Sequence, residues 1–383
     1  MYTTGVIRMN ELDVQAVADG IRAGRTLPSS WYTDSRIFEL ERRHIFGRAW
    51  EYVGGAAQVA NPGDYFTCEV AGAPVFVVRD KSHTLRAFLN ICRHRHHPVV
   101  QGSGNKALLT CFYHSWTYGL DGALLRAPRS EETPSFDPCR LGLQPVGVAT
   151  WGDMVFVSVS GSSTPLTEAL GAARERATER GLPVEAAKFR GRRSMTVSAN
   201  WKLVWDNNCE CYHCPTVHAR WYSQVRLDPK HYFDRRIGPY HYETELELVA
   251  DCPSQFAYYA WPAFYFQSSD TNYTSGAIAD RTSMLVLRFV PLETRLTRVD
   301  ADIFHVDDIA SSEVERRLDQ TFSVIEEDKA VCERMQHAHD CGAAAPGTLL
   351  KGIDTEDHTL LWQRLIHRAI STPDAPLYAS LEE

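Results

Sequence analysis

Two short motifs, Cys92-x-His94 and Cys111-x2-His114, are separated by 16 residues, and each supplies one thiol and one imidazole. A Rieske 2Fe-2S centre needs that division. Two cysteine sulfurs hold one iron and two histidines hold the other, and the neutral imidazoles raise the reduction potential to roughly −150 to +300 mV. Structural zinc sites also use two Cys and two His, but usually as a Cys pair followed by a His pair. Here the types are interleaved, as a two-iron cluster requires. A centre at that potential can pass electrons to an oxygen-activating iron.

A second set of donors lies in Asn207-Asn208-Cys209-Glu210-Cys211-Tyr212-His213-Cys214-Pro215-Thr216-Val217-His218. Two His and one carboxylate on one face of an iron leave positions open for oxygen and substrate. At about 100° per residue, His213 and His218 stand about 140° apart on a straight helix and cannot share a metal. Pro215 removes a backbone donor and crowds the preceding turn, so a kink there could bring the imidazoles together. Glu210 and His213, three apart, are neighbours on an undistorted helix. Cys214 falls in the same arc, so angle alone leaves a thiolate ligand open, although Cys209, Cys211 and Cys214 read more simply as small buried thiols.

Asn90-Ile91-Cys92-Arg93-His94-Arg95, followed by Cys111-Phe112-Tyr113-His114-Ser115-Trp116-Thr117-Tyr118, resembles the cluster motif of the alpha (oxygenase) subunits of Rieske non-heme iron oxygenases. The resemblance runs from about Trp31 to the last helix; His97 departs from it, standing where the family commonly has a small residue. It implies that His213 and His218 bind a mononuclear Fe(II), and that Glu210 is no ligand but bridges His213 to His114 of a neighbouring subunit. It further implies a homotrimer, O2 as co-substrate, and NAD(P)H electrons delivered by a separate flavin or iron-sulfur reductase.

The ligand carboxylate must then come from farther along. In Thr321–Gln336, Phe322, Ile325, Cys332 and Met335 form an apolar stripe at helical spacing, with Asp328 within it and Glu326 and Glu327 pointing away. An acid facing the core needs a partner to offset its desolvation: iron, or else a buried Arg or Lys. The resembling family places its ligand Asp in a comparable late helix.

These residues need a frame. Val75-Phe76-Val77-Val78 and Leu85-Arg86-Ala87-Phe88-Leu89 flank the polar turn Asp80-Lys81-Ser82-His83, a hairpin leading into the first ligand loop. Beyond the second loop, Trp116-Thr117-Tyr118 and Ala123-Leu124-Leu125 bracket Asp121-Gly122, another hairpin signal. Thr33 or Asp34 can cap a helix that runs through Phe38 and Ile45 and stops at Gly47. Tyr242, Thr244, Leu246 and Leu248 alternate with Glu243, Glu245 and Glu247, and Val299, Ala301 and Ile303 with Asp300 and Asp302. That pattern predicts an antiparallel sheet with one face in water.

The expected fold class is α+β: a β-rich Rieske 2Fe-2S domain plus a catalytic domain of antiparallel sheet and helices, which the resemblance specifies as helix-grip. The expected layout is an N-terminal helical segment, 1–47, packing on the catalytic domain; the Rieske domain, 48–160; and the catalytic iron domain, 161–383. At 383 residues and 44% hydrophobic content, the chain can bury two cores. A net charge of −8 argues against nucleic acid as a partner. No apolar run is long enough to span a membrane, and the N-terminus lacks a signal-peptide layout. A cytoplasmic location follows, with the 10 cysteines reduced or metal-bound. Gly102-Ser103-Gly104-Asn105-Lys106-Ala107 lies between cluster ligands and opens no helix, so it is no dinucleotide site. Asn272-Tyr273-Thr274 matches a glycosylation acceptor by pattern only.

For the substrate, a small molecule, Phe256–Phe266 is dense in aromatics. Tyr258, Tyr259, Trp261 and Phe264 are candidate pocket residues, because ring faces hold quaternary ammonium groups. The run Glu210-Cys211-Tyr212-His213-Cys214 is similar to members acting on glycine betaine, carnitine or stachydrine, whereas ring-dihydroxylating members usually have Asp at its first position. Monooxygenation of an N-methylated amine, by N-demethylation or C–N cleavage, is therefore expected. Hydroxylation of an aromatic acid is the alternative, and a zinc-stabilised binding protein the non-enzymatic one.

Overall fold

The apolar run at 75–78 is continuous because both of its faces are buried. In the computed structural model, which describes residues 13–162, 164–223, 236–246, 255–268, 282–350 and 356–381, the chain divides into two compact units. One comprises Phe46–Leu166 and the other Met1–Ile45 with Thr167–Glu383.

The strands of the first unit are β1 (Glu51–Gly55), β2 (Asp64–Val70), β3 (Ala73–Arg79), β4 (Leu85–Leu89), β5 (Ser103–Asn105), β6 (Leu109–Thr110), β7 (Thr117–Tyr118), β8 (Leu124–Arg126), β9 (Gly147–Trp151) and β10 (Met154–Ser158). They form sheets ordered β4-β3-β2-β5, β1-β10-β9 and β6-β7-β8. Successive side chains of β3 alternate between two cores. Val75 and Val77 join Val53, Val155 and Val157, while Phe76 and Val78 join Phe88, Tyr118 and both ligand cysteines. The β3–β4 turn is fixed by Asp80, whose carboxylate accepts from Ser82 N at 2.8 Å, Thr84 N at 2.9 Å and Arg86 Nε at 2.7 Å. Gly122 makes the β7–β8 turn at φ 87°, where a Cβ would lie 2.5 Å from the Phe88 ring. The segment at 103–105 is a strand paired with β2.

The second unit contains helices α1 (Val14–Arg22), α2 (Ser30–Thr33), α3 (Ser35–Glu41), α4 (Leu166–Ala169), α5 (Ala173–Glu179), α6 (Trp201–Cys209), α7 (Cys214–Val217), α8 (Ala219–Tyr222), α9 (Ser311–Asp340) and α10 (Asp357–Ser371). Asp34 is the cap of α3, its carboxylate accepting from Arg36 N at 2.8 Å. The strands β11 (Lys188–Val197), β12 (Arg236–Ile237), β13 (His241–Leu246), β14 (Gln255–Ala260), β15 (Phe264–Ser268), β16 (Ser283–Glu293) and β17 (Leu296–His305) build one antiparallel sheet, ordered β11-β17-β16-β15-β14-β13-β12. On one face Trp205 of α6 packs edge-on against Tyr259 and Phe289. Arg193 of β11 reaches Glu315 at 2.6 Å and Asp319 at 2.7 Å on α9. None of the described helices is long and apolar enough to cross a membrane.

The opposite face corrects an expectation. Glu243, Asp300 and Asp302 are 2%, 1% and 0% exposed, so their alternation marks a charged face rather than a wet one. Guanidinium groups take the place of water: Arg176 of α5 lies 2.6 Å from Glu243, Arg192 2.6 Å from Asp302, and Arg298 2.9 Å from Asp300. Glu247 and Leu248 lie outside the described residues, as does Asn272.

The N-terminal helices are fastened to α6 by a fully buried pair. Lys202 Nζ donates to Glu41 Oε1 at 2.6 Å, and Trp201 Nε1 donates to Glu41 Oε2 at 2.7 Å. Burial pushes the Glu41 pKa up and the Lys202 pKa down, against their mutual attraction. Lys202→Met leaves a lone buried carboxylate and is expected to destabilise the protein by about 3–5 kcal/mol in chemical denaturation. Adding Glu41→Leu should restore most of that loss. A single variant as stable as the parent would show that the pair contributes nothing.

Candidate metal centres

The two cluster-ligand loops share one backbone design. His96 N donates to Cys92 O, and Ser115 N to Cys111 O, both at 3.0 Å. His96 and Ser115 close these turns with left-handed φ of 64° and 56°. Each turn thus offers a cysteine at its buried base and a histidine nearer its tip. Cys92 and Cys111 are 1% and 2% exposed, while the His94 and His114 rings lie 4.5 Å apart between centroids. His94 also stacks on Trp116 at 4.8 Å and 3°. Tyr118 Oη accepts from Arg93 N at 3.0 Å, which leaves its proton for Cys92 Sγ at 3.2 Å. Such bonds to sulfur help to set a cluster's potential. Two buried sulfurs and two outer imidazoles are the donors a Rieske cluster takes.

The second centre is built by a break in the chain rather than a kink. Helix α6 ends at Cys209, and Glu210 is extended (φ −131°, ψ 161°), so Glu210 and His213 are not helical neighbours. Instead the Glu210 carboxylate turns back to accept from Tyr212 N and, at 3.3 Å, from His213 N. Pro215 occupies the first turn of α7, where it needs no donor, and His218 falls between α7 and α8. These turns set the two imidazoles 5.2 Å apart between centroids.

Asp328 completes the group from α9. Its Oδ1 is 3.3 Å from His213 Nε2 and 3.0 Å from His218 Nε2. That oxygen is buried, and neither nitrogen meets it in hydrogen-bond geometry. A buried acceptor facing two imidazole nitrogens is a fit for a cation. Two nitrogens and one carboxylate, with room beside them, suit ferrous iron. Burial acts to lower the His213 pKa, but Asp328 and then Glu210 outweigh it and carry it up to about 9. Burial raises the Asp328 pKa, and the two imidazoles bring it below the usual carboxylate value.

Each imidazole also has a carboxylate on its far side. Glu210 Oε1 lies 2.5 Å from His213 Nδ1, and Glu327 Oε2 lies 2.7 Å from His218 Nδ1. Glu327 therefore does not point away from the site, contrary to the helical-wheel expectation. The available signal was general: ligand histidines commonly give their second nitrogen to a carboxylate.

A disulfide joins Cys211 and Cys214, which corrects the expectation that all cysteines are reduced or metal-bound. Three residues apart, with Cα atoms 4.8 Å from each other, they lie within disulfide reach. The bond removes Cys214 as a thiolate ligand, although its sulfur lies within 4.8 Å of ligand atoms of His213 and His218. Cys209 remains a buried thiol.

A cavity of about 160 Å³ opens beside these three side chains, with Trp221, Tyr259, Tyr265 and Gln267 on its wall. Of the four aromatics expected there, only Tyr259 lines it. Strand alternation turns Tyr258 to the other face of β14, where its hydroxyl donates to Leu170 O at 2.9 Å. Phe264 packs with Phe266, and Trp261 sits in the β14–β15 turn near Trp362. Trp221 and Tyr265 also line it; the first lies outside the aromatic run, and only strand parity distinguishes the second from its aromatic neighbours.

Residues 49–137 match the family model described as the Rieske [2Fe-2S] domain, and residues 184–272 the ring hydroxylating alpha subunit (catalytic domain). The chain is 35% identical over 204 residues to a carnitine monooxygenase oxygenase subunit of Acinetobacter pittii (strain PHEA-2), covering 53% of this chain and 55% of that protein. The match therefore spans about half of that relative's length. Over 354 residues it is 29% identical to the chloroplastic choline monooxygenase of Beta vulgaris, covering 87% of this chain and 75% of that one. The crystal structure of the quaternary ammonium Rieske monooxygenase CntA with L-carnitine superposes with a TM-score of 0.81 at 26% identity, over 93% of this chain and 98% of that one.

Proposed function

We propose that this chain, which carries a Rieske [2Fe-2S] domain and a ring-hydroxylating alpha-subunit catalytic domain in order, is a Rieske oxygenase and the terminal oxygenase component of a monooxygenase for a small N-methylated quaternary amine. The observation that carries the proposal is the convergence of His213, His218 and Asp328 beside a cavity walled by Trp221, Tyr259 and Tyr265. Each ring face adds about 0.5–2 kcal/mol for a desolvated quaternary cation. The relatives are named for carnitine and choline, both of which carry a trimethylammonium group.

Cys92, Cys111, His94 and His114 would hold the cluster, and His213, His218 and Asp328 the mononuclear iron. Bound there, the two groups supply electron storage and O2 activation. The aromatic wall orients the cation so that one N-methyl faces the ligand side chains, and the surrounding Leu285, Leu287 and Ile325 keep water from that approach. Glu210 holds His213 Nδ1 and, in a homotrimer, His114 of the neighbouring subunit. A separate NAD(P)H-dependent reductase supplies two electrons. With O2 and two protons, one oxygen atom enters the methyl group, the other leaves as water, and the N-hydroxymethyl product releases formaldehyde.

The test is oxygen uptake coupled to NADH oxidation, with a reconstituted reductase, over choline, carnitine, betaines and aromatic acids. Turnover of a trimethylammonium compound is expected. Formaldehyde release marks N-demethylation, and trimethylamine release marks C–N cleavage. Turnover confined to aromatic acids would move the function to ring hydroxylation. Colourless protein that carries zinc would make it a binding protein.

A further inference from the structure

We propose that Glu327 is a positioning residue for the mononuclear metal: it fixes the tautomer and ring direction of His218 so that Nε2 is presented to the ion. The proposal rests on the reading of His218 as a ligand. A neutral imidazole carries one proton, and only the bare nitrogen can bind a metal. Glu327 Oε2, 2.7 Å from Nδ1, accepts the Nδ1 proton and leaves Nε2 as the free donor. That Nε2 is the atom 3.0 Å from Asp328 Oδ1. His213 is arranged in parallel, with Nδ1 on Glu210 and Nε2 towards the same oxygen. Both imidazoles are thus clamped between an outer acid and a shared inner one.

The source of the clamp differs between the two. Glu210 comes from the turn that carries His213, whereas Glu327 precedes Asp328 on α9. One turn of α9 therefore grips the His218 ring from both edges, with Asp328 at Nε2 and Glu327 at Nδ1. The His218 side chain is 3% exposed, whereas that of Glu327 is 46% exposed. Removing the Glu327 carboxylate therefore opens no cavity, and any loss reports the bond to His218 rather than packing.

The experiment is anaerobic titration of metal-free protein, its Rieske cluster intact, with Fe(II) alone, comparing wild type with Glu327→Ala, Glu327→Gln and His218→Ala. Glu327→Ala should weaken Fe(II) binding by about 10–100-fold, the usual cost of losing such a partner. Its thermal midpoint and cluster spectrum should not change. Glu327→Gln, whose amide oxygen still accepts from Nδ1, should stay within about threefold of wild type. Unchanged affinity in Glu327→Ala, or Glu327→Gln no better than Glu327→Ala, overturns the assignment while His218→Ala still loses iron. Should His218→Ala itself bind Fe(II) normally, the ligand reading falls and the assignment falls with it.

Discussion

Asp328→Ala is expected to fold, to keep the red-brown cluster spectrum, and to lose its mononuclear iron. The basis is the convergence of three donors on one point from two separate segments, the α6–α8 connection and α9. Without the carboxylate, two imidazoles remain in a site that no longer offsets the charge of a dication. The affinity loss should exceed the roughly 10–100-fold attributed to outer partners, and turnover should fall below about a thousandth of wild type. Iron and labile sulfide counts check it: wild type should carry three irons and two sulfides per chain, the variant two and two. A variant that retains the third iron would show that Asp328 is not a ligand. Cys214 is no ready substitute, because its sulfur is held in the bond to Cys211.

Glu210→Gln should behave differently, and the contrast separates holding iron from supplying it with electrons. The amide keeps the shape of the carboxylate, and its single oxygen can still accept from His213 Nδ1. Iron occupancy and the cluster spectrum should therefore stay near wild type. Steady-state turnover should drop by about 100-fold or more, a scale taken from outer-partner losses together with the proposed inter-subunit link. Rapid-mixing measurement of cluster reoxidation by O2 and substrate is the direct readout, with slow reoxidation expected. Near-normal reoxidation would remove Glu210 from the electron route and leave it a holder of His213.

Much of this is legible in the chain because metal donors are few in type and regular in spacing. The interleaved Cys and His motifs point to a two-iron cluster on residue type and order alone. Asp328 can be picked out because an acid within an apolar stripe needs a partner. Glu327 cannot: the helical wheel gives the direction of a Cβ, but a glutamate has enough reach to bend from an exposed position to a neighbouring ring. The Cys211–Cys214 bond escapes for a related reason, since an expected reducing location outweighs local geometry. Periodicity counts correctly on β13 and β17 but misleads, because alternation tells which side is polar and not whether water or guanidinium covers it. The same parity rule, applied to β14 and β15, separates Tyr259 and Tyr265 from Tyr258 and Phe266.

The paired charges behind the sheet have a consequence for how the strands find their alignment. If β17 slipped by one position, Asp300 and Asp302 would turn towards Trp205 and Phe289, away from Arg192 of β11 and Arg288 of β16. A carboxylate stranded there costs several kcal/mol, more than a shifted ladder could return. Wrong alignments are thus excluded by repulsion from oil as much as the right one is chosen by attraction. The wall that carries Tyr259 and Tyr265 inherits its setting from ions on the side that substrate never sees.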